Sequence, residues 1–250
     1  MKSRGSETRQ RPRAGPTRTR LDPATRERQI VHGAIAYFAE VGNEGDTREL
    51  ARRLAITQPL LFRYFPTKGA LIERIYEEVF LNRWKAEWET LIADPSTPAI
   101  ERFRAFEIDY QRTIDDAAWL RIFVSAGMKG LDLPNRYIGL LRQRIFSPLL
   151  VALRAEHGLP SIEEQPLAPL EFELLFGIHG ALVYSGLRRH VYGVQGSPEG
   201  DAVRASMLDA ALVGLRRAHI RLVTGGPNEP AEPPPNPRRR RSVRTSERTG

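Results

Sequence analysis

Residues 42–71 read GNEGDTRELARRLAITQPLLFRYFPTKGAL. Asp46 and Glu49, three residues apart, have the spacing of a capping box, so a helix starts at Asp46 or Thr47. Leu50, Ala51 and Leu54 give it a buried stripe. Ala55 and Ile56 form a short turn to Thr57. A second helix spans Gln58 to about Phe65, with Pro59 in the first turn, where no intrahelical N–H is needed. Upstream, Asp22-Pro23 looks like an N-cap followed by proline at the first helical position. Ile30, Val31, Ala34, Ile35 and Phe38 then recur at helical spacing to about Glu40, and Gly42 is the stop. Two short, closely joined helices behind a third make a helix-turn-helix, whose second short helix enters the DNA major groove.

Periodicity says which side chains of that helix face outward. Leu61 and Phe65 are apolar and four apart, so they point to the core. Thr57, Leu60, Arg63 and Tyr64 fall on the outer face, with Gln58 at the leading end. Arg63 can bond guanine through two hydrogen bonds, Gln58 can pair with adenine, and Leu60 can pack on a thymine methyl. Tyr64 can donate to phosphate or stack on sugar. Thr47 and Arg48 open the preceding helix, where a hydroxyl and a guanidinium can meet backbone phosphate. Lys68 adds a point charge in the first turn of the helix that follows.

The stretch resembles the DNA-binding domain of the TetR family of transcriptional regulators over roughly residues 25–71. The matching elements are Phe38 near the end of the first helix, Thr47-x-x-Leu50-Ala51, Gln58-Pro59, and Leu61-Phe62-Arg63-Tyr64-Phe65-Pro66-Thr67-Lys68. The resemblance implies that Thr47, Arg48, Gln58, Pro59, Leu60, Phe62, Arg63, Tyr64 and Lys68 lie at or near DNA. There are three departures. Phe62 stands where the family usually has Tyr, Tyr64 where it has His, and Ala55 where it often has Gly. The first loses a phosphate-directed hydroxyl and the second moves one to a neighbouring position. The third requires the turn to tolerate a Cβ.

Outward from this stretch, the pattern stays helical from residue 22 to 223, with no convincing strand and no tandem repeat. Thr67 caps a fourth helix whose face carries Leu71, Ile72, Ile75, Val79, Trp84 and Trp88, ending before Asp94-Pro95. Five more follow, starting at Thr97-Pro98, Trp119, Pro134, Pro169 and Ser197-Pro198. Pro148 should kink the one from Pro134 to Glu156. The fold class expected is therefore all-α, with about nine helices. Four segments are expected: a disordered basic arm (1–21), a helix-turn-helix domain (22–71), a helical ligand-binding and dimerisation domain (72–223) and a disordered Pro/Arg-rich tail (224–250).

Charge and composition set the wider bounds. The net charge of +8 in 250 residues suggests a polyanionic partner. Residues 1–20 carry seven Lys/Arg against one Glu, and residues 224–250 six against three. Residues 21–71 carry seven basic against six acidic side chains, so the excess lies in the tails and not in the reading domain. Those tails are rich in Arg, Pro, Gly and Ser/Thr and hold too few apolar side chains to offset chain entropy. They read either as solvated polycations or as arms on phosphate. The absence of cysteine excludes disulfides and thiolate metal sites and fits a cytoplasmic protein. Residues 1–20 hold no apolar stretch of secretory type. The best spanning candidate, Phe172 to Tyr184, is short and carries Glu173 and His179, so no membrane partner is expected.

Enzyme chemistry finds no support. The five His (32, 157, 179, 190, 219) show no metal-ligand spacing, and no phosphate loop or nucleophile elbow occurs. Asp115-Asp116 and Glu163-Glu164 are adjacent pairs that point apart on a helix. No catalytic residue, cofactor or metal is expected. In the last two helices, Gly177, Ala181 and Ser185, and Ser206, Ala210, Gly214 and Ala218, lie four apart. Such stripes let helices approach closely, either inside one subunit or as the homodimer interface the resemblance implies. Trp84, Trp88, Phe103, Tyr110, Trp119, Phe123, Gln143, Phe146, Phe176 and His179 are either plain core or the lining of a pocket for a small apolar effector. The expected function is sequence-specific regulation of transcription. The protein would be a dimeric repressor released by a ligand from a pseudo-palindromic site on double-stranded DNA. The alternative is a DNA-binding regulator without an effector, controlled by a protein partner or by concentration.

Overall fold

The computed structural model describes residues 22–42 and 44–226. The expected basic arm and, save for residues 224–226, the expected Pro/Arg-rich tail lie outside the described residues. The described chain is all-helical, with no strand. The helices are α1 (Pro23–Val41), α2 (Thr47–Arg53), α3 (Gln58–Tyr64), α4 (Lys68–Val79), α5 (Ala86–Ala93) and α6 (Ala99–Ile114). Then come α7 (Ala117–Met128), α8 (Leu133–Leu141), α9 (Ser147–His157), α10 (Pro169–His190) and α11 (Gly200–Thr224). A π turn (Arg142–Phe146) joins α8 to α9 without a break, so there are ten separate helices among the described residues.

The tenth arises because the fourth expected helix is two. A 3₁₀ turn (Leu81–Arg83) follows α4, and Trp84 and Lys85 are extended, with ψ of 128° and 123°. Lys85 Nζ and Trp88 Nε1 then both donate to Asp109 Oδ2, at 2.6 and 2.8 Å, anchoring the start of α5. The expected kink at Pro148 takes the form of the π turn. Proline has no N–H and its ring crowds the carbonyl four residues back. The chain widens just before it, and Ser147 N–H bonds to Arg142 O, five residues back.

The described residues group into two compact units. The first comprises the residues up to Trp84 together with Asp116–Asn135. Here α1 packs on α4 and α7, and α2 on α3. Ile30, Val31, Ala34 and Phe38 of α1 are buried with Leu50, Leu61, Phe65, Leu71 and Ile75. Gly42 ends α1 at a φ of 76°, and a Cβ there would lie 2.6 Å from Ser125 Oγ of α7. The second unit comprises Lys85–Asp115 and the residues from Arg136 on. In it α6 packs against α5, α9, α10 and α11.

The expectation that no segment approaches a membrane span meets one exception. By length and composition α10 is long and apolar enough to cross a membrane. A third of its most apolar window is buried within the protein. Its buried face also holds Glu171, paired with Arg154, and His179, bonded to Glu107. Buried polar groups paired with other elements of the same unit are features of a core helix.

Ala55 is the one non-glycine residue with positive φ among those described, at 51°. Ile56 N–H reaches Ala51 O (3.0 Å) and Ala55 N–H reaches Arg52 O (3.1 Å), the paired bonds of a left-handed helix stop. An L-residue there costs about 1–2 kcal/mol. Glycine would return about 0.5–1 kcal/mol of that through its greater unfolded-chain entropy. Ala55→Gly is therefore expected to stabilise the protein by roughly 0.5–1 kcal/mol, read as a higher urea midpoint. A lower midpoint would show that the exposed methyl contributes packing.

Candidate DNA-binding interface

Three side-chain caps fix the helix-turn-helix. Asp46 accepts from Arg48 N–H (3.0 Å), Thr57 from Leu60 N–H (3.3 Å) and Thr67 from Ala70 N–H (3.0 Å). Each satisfies an orphan donor at a helix start. Leu61 and Phe65 are buried, so the opposite side of α3 turns outward. Arg63 and Pro59 are exposed there, and Gln58, Leu60, Phe62 and Tyr64 are half-buried. On α2, Arg48 is exposed and Thr47 half-buried. Lys68 opens α4, half-buried, with Nζ 5.7 Å from the centre of the Phe38 ring.

Cations of this unit divide into two groups. Glu49 takes Arg52 at 2.6 Å and Arg53 at 3.1 Å, and Arg53 also reaches Glu40 at 2.7 Å. Hydrogen bonds from Arg52 and then Arg53 hold the Glu49 carboxyl down to about 2. Arg52 and Arg53 are thereby neutralised by Glu49 of their own helix and Glu40 of α1. Arg48 and Arg63 have no acidic partner among the described residues, which leaves their charge available to a polyanion. The sequence reading missed this sorting. Its signal was present in the three- and four-residue spacing from Glu49 to Arg52 and Arg53. It also missed that Gln58 Nε2 donates to Thr47 Oγ1 at 3.1 Å, which ties the starts of α3 and α2 together.

This geometry belongs to a recognisable sequence pattern: residues 30–75 match the family model described as bacterial regulatory proteins, tetR family. The chain carries a TetR-family DNA-binding domain. The chain is also similar to a TetR-like transcriptional regulator from Rhodococcus sp. RHA1 at 18% identity and a TM-score of 0.52, covering 83% of this chain and 100% of that one. A TetR family transcriptional regulator from Pseudomonas syringae pv. tomato str. DC3000 aligns at 17% identity and a TM-score of 0.49, covering 78% and 96%. At such identity the first likeness speaks for the fold. No curated protein matches the chain in sequence. The matched domain supports DNA-binding regulation of transcription.

The pocket candidates do not converge. In the second unit Trp88, Phe103, Tyr110, Phe146, Phe176 and His179 pack ring against ring. Tyr110 lies 4.8 Å from His179, and Phe146 4.8 Å from Phe176. Burial pushes the Tyr110 hydroxyl well above its ordinary value, with Tyr137 adding to the shift. Trp84, Trp119 and Phe123 belong to the first unit, where Trp119 stacks on Phe123 at 5.0 Å. Gln143 is exposed on the π turn, so it does not line an interior cavity. The second unit does hold a cleft of about 130 Å³, comparable to a cavity that admits benzene. It lies among α6, α10 and α11 and is lined by Glu107, Gln111, Arg112, Leu182, Arg204 and Leu208, among others, with none of the aromatic candidates.

The small-residue stripes are open. Gly177, Ala181, Ser206, Ala210 and Gly214 are exposed, and Ser185 and Ala218 half-buried. A Cβ on Gly177 or Gly214 would meet nothing within 4 Å. Beside them Tyr184, Val203, Met207 and Val213 expose 52, 54, 48 and 87% of their surface. Close packing inside one subunit does not explain these stripes.

Proposed function

We propose that the protein is a cytoplasmic, dimeric repressor that binds a pseudo-palindromic operator and leaves it when a small ligand binds the second unit. One observation carries the DNA reading: Arg48 and Arg63 stand exposed without acidic partners, while Arg52 and Arg53 beside them are neutralised. In this reading Arg63, Gln58 and Leu60 meet base edges. Arg48, Tyr64 and Lys68 meet the backbone, Thr47 stands beside them at the head of α2, and Pro59 and Phe62 shape the approach. Genomic fragments captured by the purified full-length protein test it. Enrichment of an inverted repeat with half-sites about one helical turn apart supports it. Capture of no fragment in preference to bulk DNA overturns it.

The dimer reading rests on the bare small-residue faces of α10 and α11 and the apolar side chains beside them. Val213→Glu is expected to give a monomer by sedimentation without loss of helix content, because that side chain touches so little of its own subunit. A dimer of unchanged affinity would place the contact elsewhere.

A ligand would act by binding one helical arrangement better than another, which shifts the separation of paired recognition helices. The 130 Å³ cleft is the candidate entry. A second reading, control by a protein partner or by concentration alone, is favoured by the aromatic cluster, whose rings contact each other.

A further inference from the structure

Thr47 and Gln58 are the first residues of α2 and α3, and the Gln58 Nε2 to Thr47 Oγ1 bond joins them. A carboxamide carries two N–H donors and a carbonyl acceptor. Paired recognition of adenine uses the carbonyl oxygen and one N–H, which lie on the same edge of the group. The other N–H, turned away from the carbonyl, is left over. A bond from that second N–H to Thr47 leaves the reading edge whole and fixes its direction. Among the described residues Gln58 Oε1 has no hydrogen-bond partner.

Thr47 is suited to this. Its β-branched side chain is stiff at χ1. Its backbone is held by the Asp46 cap on one side and by buried Leu50 and Ala51 on the other. Its hydroxyl is therefore a fixed point, whereas glutamine alone has three free torsions. Ordering such a side chain before DNA arrives removes that cost from the binding step.

We infer that Thr47 is a specificity-determining positioning residue, which aims the Gln58 carboxamide at a base edge. The inference rests on the reading of α3 as the recognition helix. It competes with the simpler role of Thr47 as a phosphate ligand, which would be blind to sequence.

Thr47→Val removes the hydroxyl and keeps the shape. Thr47→Val, Thr47→Ser, Gln58→Ala and the Thr47→Val/Gln58→Ala double variant of the full-length protein are titrated against a captured genomic fragment. Single-base-pair variants of that fragment and several salt concentrations complete the set, with thermal melts to check folding. The expected result is that Thr47→Val and Gln58→Ala lose preference at the same A·T pair, each about tenfold. The double variant should lose no more than either single one. Thr47→Ser should retain the preference, and the salt slope of Thr47→Val should match that of the parent. Uniform weakening of all sequences with a slope reduced by about one would make Thr47 a phosphate ligand and overturn the inference. Fully additive losses would overturn it too, as would a Gln58→Ala variant that keeps its base preferences while Arg63→Ala loses one. If neither Gln58→Ala nor Arg63→Ala changed any base preference, the recognition-helix reading itself would fall.

Discussion

Arg63→Ala protein is expected to bind its operator roughly 5- to 150-fold more weakly per half-site, the equivalent of about 1–3 kcal/mol for a lost two-bond base contact. Affinity for unrelated DNA should barely change. Arg63 lies in the last turn of α3, exposed, with no acidic partner among the described residues. Nothing in its own unit has to be broken before it meets a guanine edge. In a dimer the loss applies at both half-sites, so operator and bulk DNA become hard to tell apart. Lys68 supplies the contrast. Its compact charge at the start of α4 can meet phosphate but reads no base, so Lys68→Ala should weaken every sequence alike and lower the salt slope by about one. Titrations against the captured operator and a scrambled fragment separate the two behaviours. An Arg63→Ala variant that lost both affinities equally would move Arg63 from base to backbone.

The second large effect lies in the interior of the second unit. Glu171 and Arg154 are fully buried and joined by two hydrogen bonds, at 2.6 and 2.8 Å. Glu171 also accepts from Ala168 N–H (2.7 Å) and from His219 Nε2 (2.8 Å). Arg154 holds the carbonyls of Pro160, Gln165 and Pro166, so one guanidinium closes the loop between α9 and α10. Glu171→Gln keeps the shape but strands a buried cation, a change that costs about 3–5 kcal/mol. At roughly 2–4 °C per kcal/mol for a chain of this size, thermal melts should show a large fall in Tm. An apolar Arg154→Met/Glu171→Leu pair should recover part of it, since no charge is then left alone. Recovery should be incomplete because three carbonyls lose their donor. An unchanged Tm for Glu171→Gln would mean that water reaches the guanidinium.

The same corner makes stability depend on pH. Burial works to raise the Glu171 carboxyl, but hydrogen bonds from Arg154, His219 and the Ala168 amide outweigh it and hold the group below 4.5. A depressed carboxyl contributes stability above its unfolded value, and this is lost as pH falls through the folded one. His157, whose Nδ1 lies 3.1 Å from His219 Nδ1, is held below 6.5 by burial, then by His219 and Arg216, against the pull of Glu156. Its neutral form is the folded one, so its contribution is complete above about pH 6.5 and declines below. Acid should thus weaken the protein in two stages, the first starting below pH 6.5 and the second below 4.5.

Much of the first unit was legible because its signals are local. Asp22-Pro23, Asp46 and Thr67 announce helix starts through the chain's own hydrogen-bonding chemistry, and all three cap as read; Thr57, read only as the end of a turn and a residue of the outer face, caps α3 as well. The alternation of Leu61 and Phe65 with Arg63 and Tyr64 likewise fixes which side of α3 is buried. The break after α4 was not legible, because Val79, Trp84 and Trp88 keep a helical period across it. What interrupts the helix is Asp109, some 20 residues on in sequence, which draws Lys85 and Trp88 to one carboxylate. Glu171 and Glu107 were equally hidden. A carboxylate in a helical pattern reads as solvated until the arginine or histidine that neutralises it is known to be near. The aromatic candidates failed as a single pocket for a related reason: helical spacing says that a ring is inside, but not which interior it shares.

The placement of α7 against α1 bears on how the protein is made. The unit that holds the DNA-binding helices is not finished when residue 84 leaves the ribosome, because Trp119, Leu120 and Ile122 still have to arrive to complete its core. At about 5–20 residues per second, the intervening synthesis leaves α1 half-covered for several seconds. During that interval the apolar side of α1 is an aggregation hazard and a natural client surface for chaperones. DNA-binding competence then begins only after the first helices of the second unit's sequence, α5 and α6, have already been synthesised.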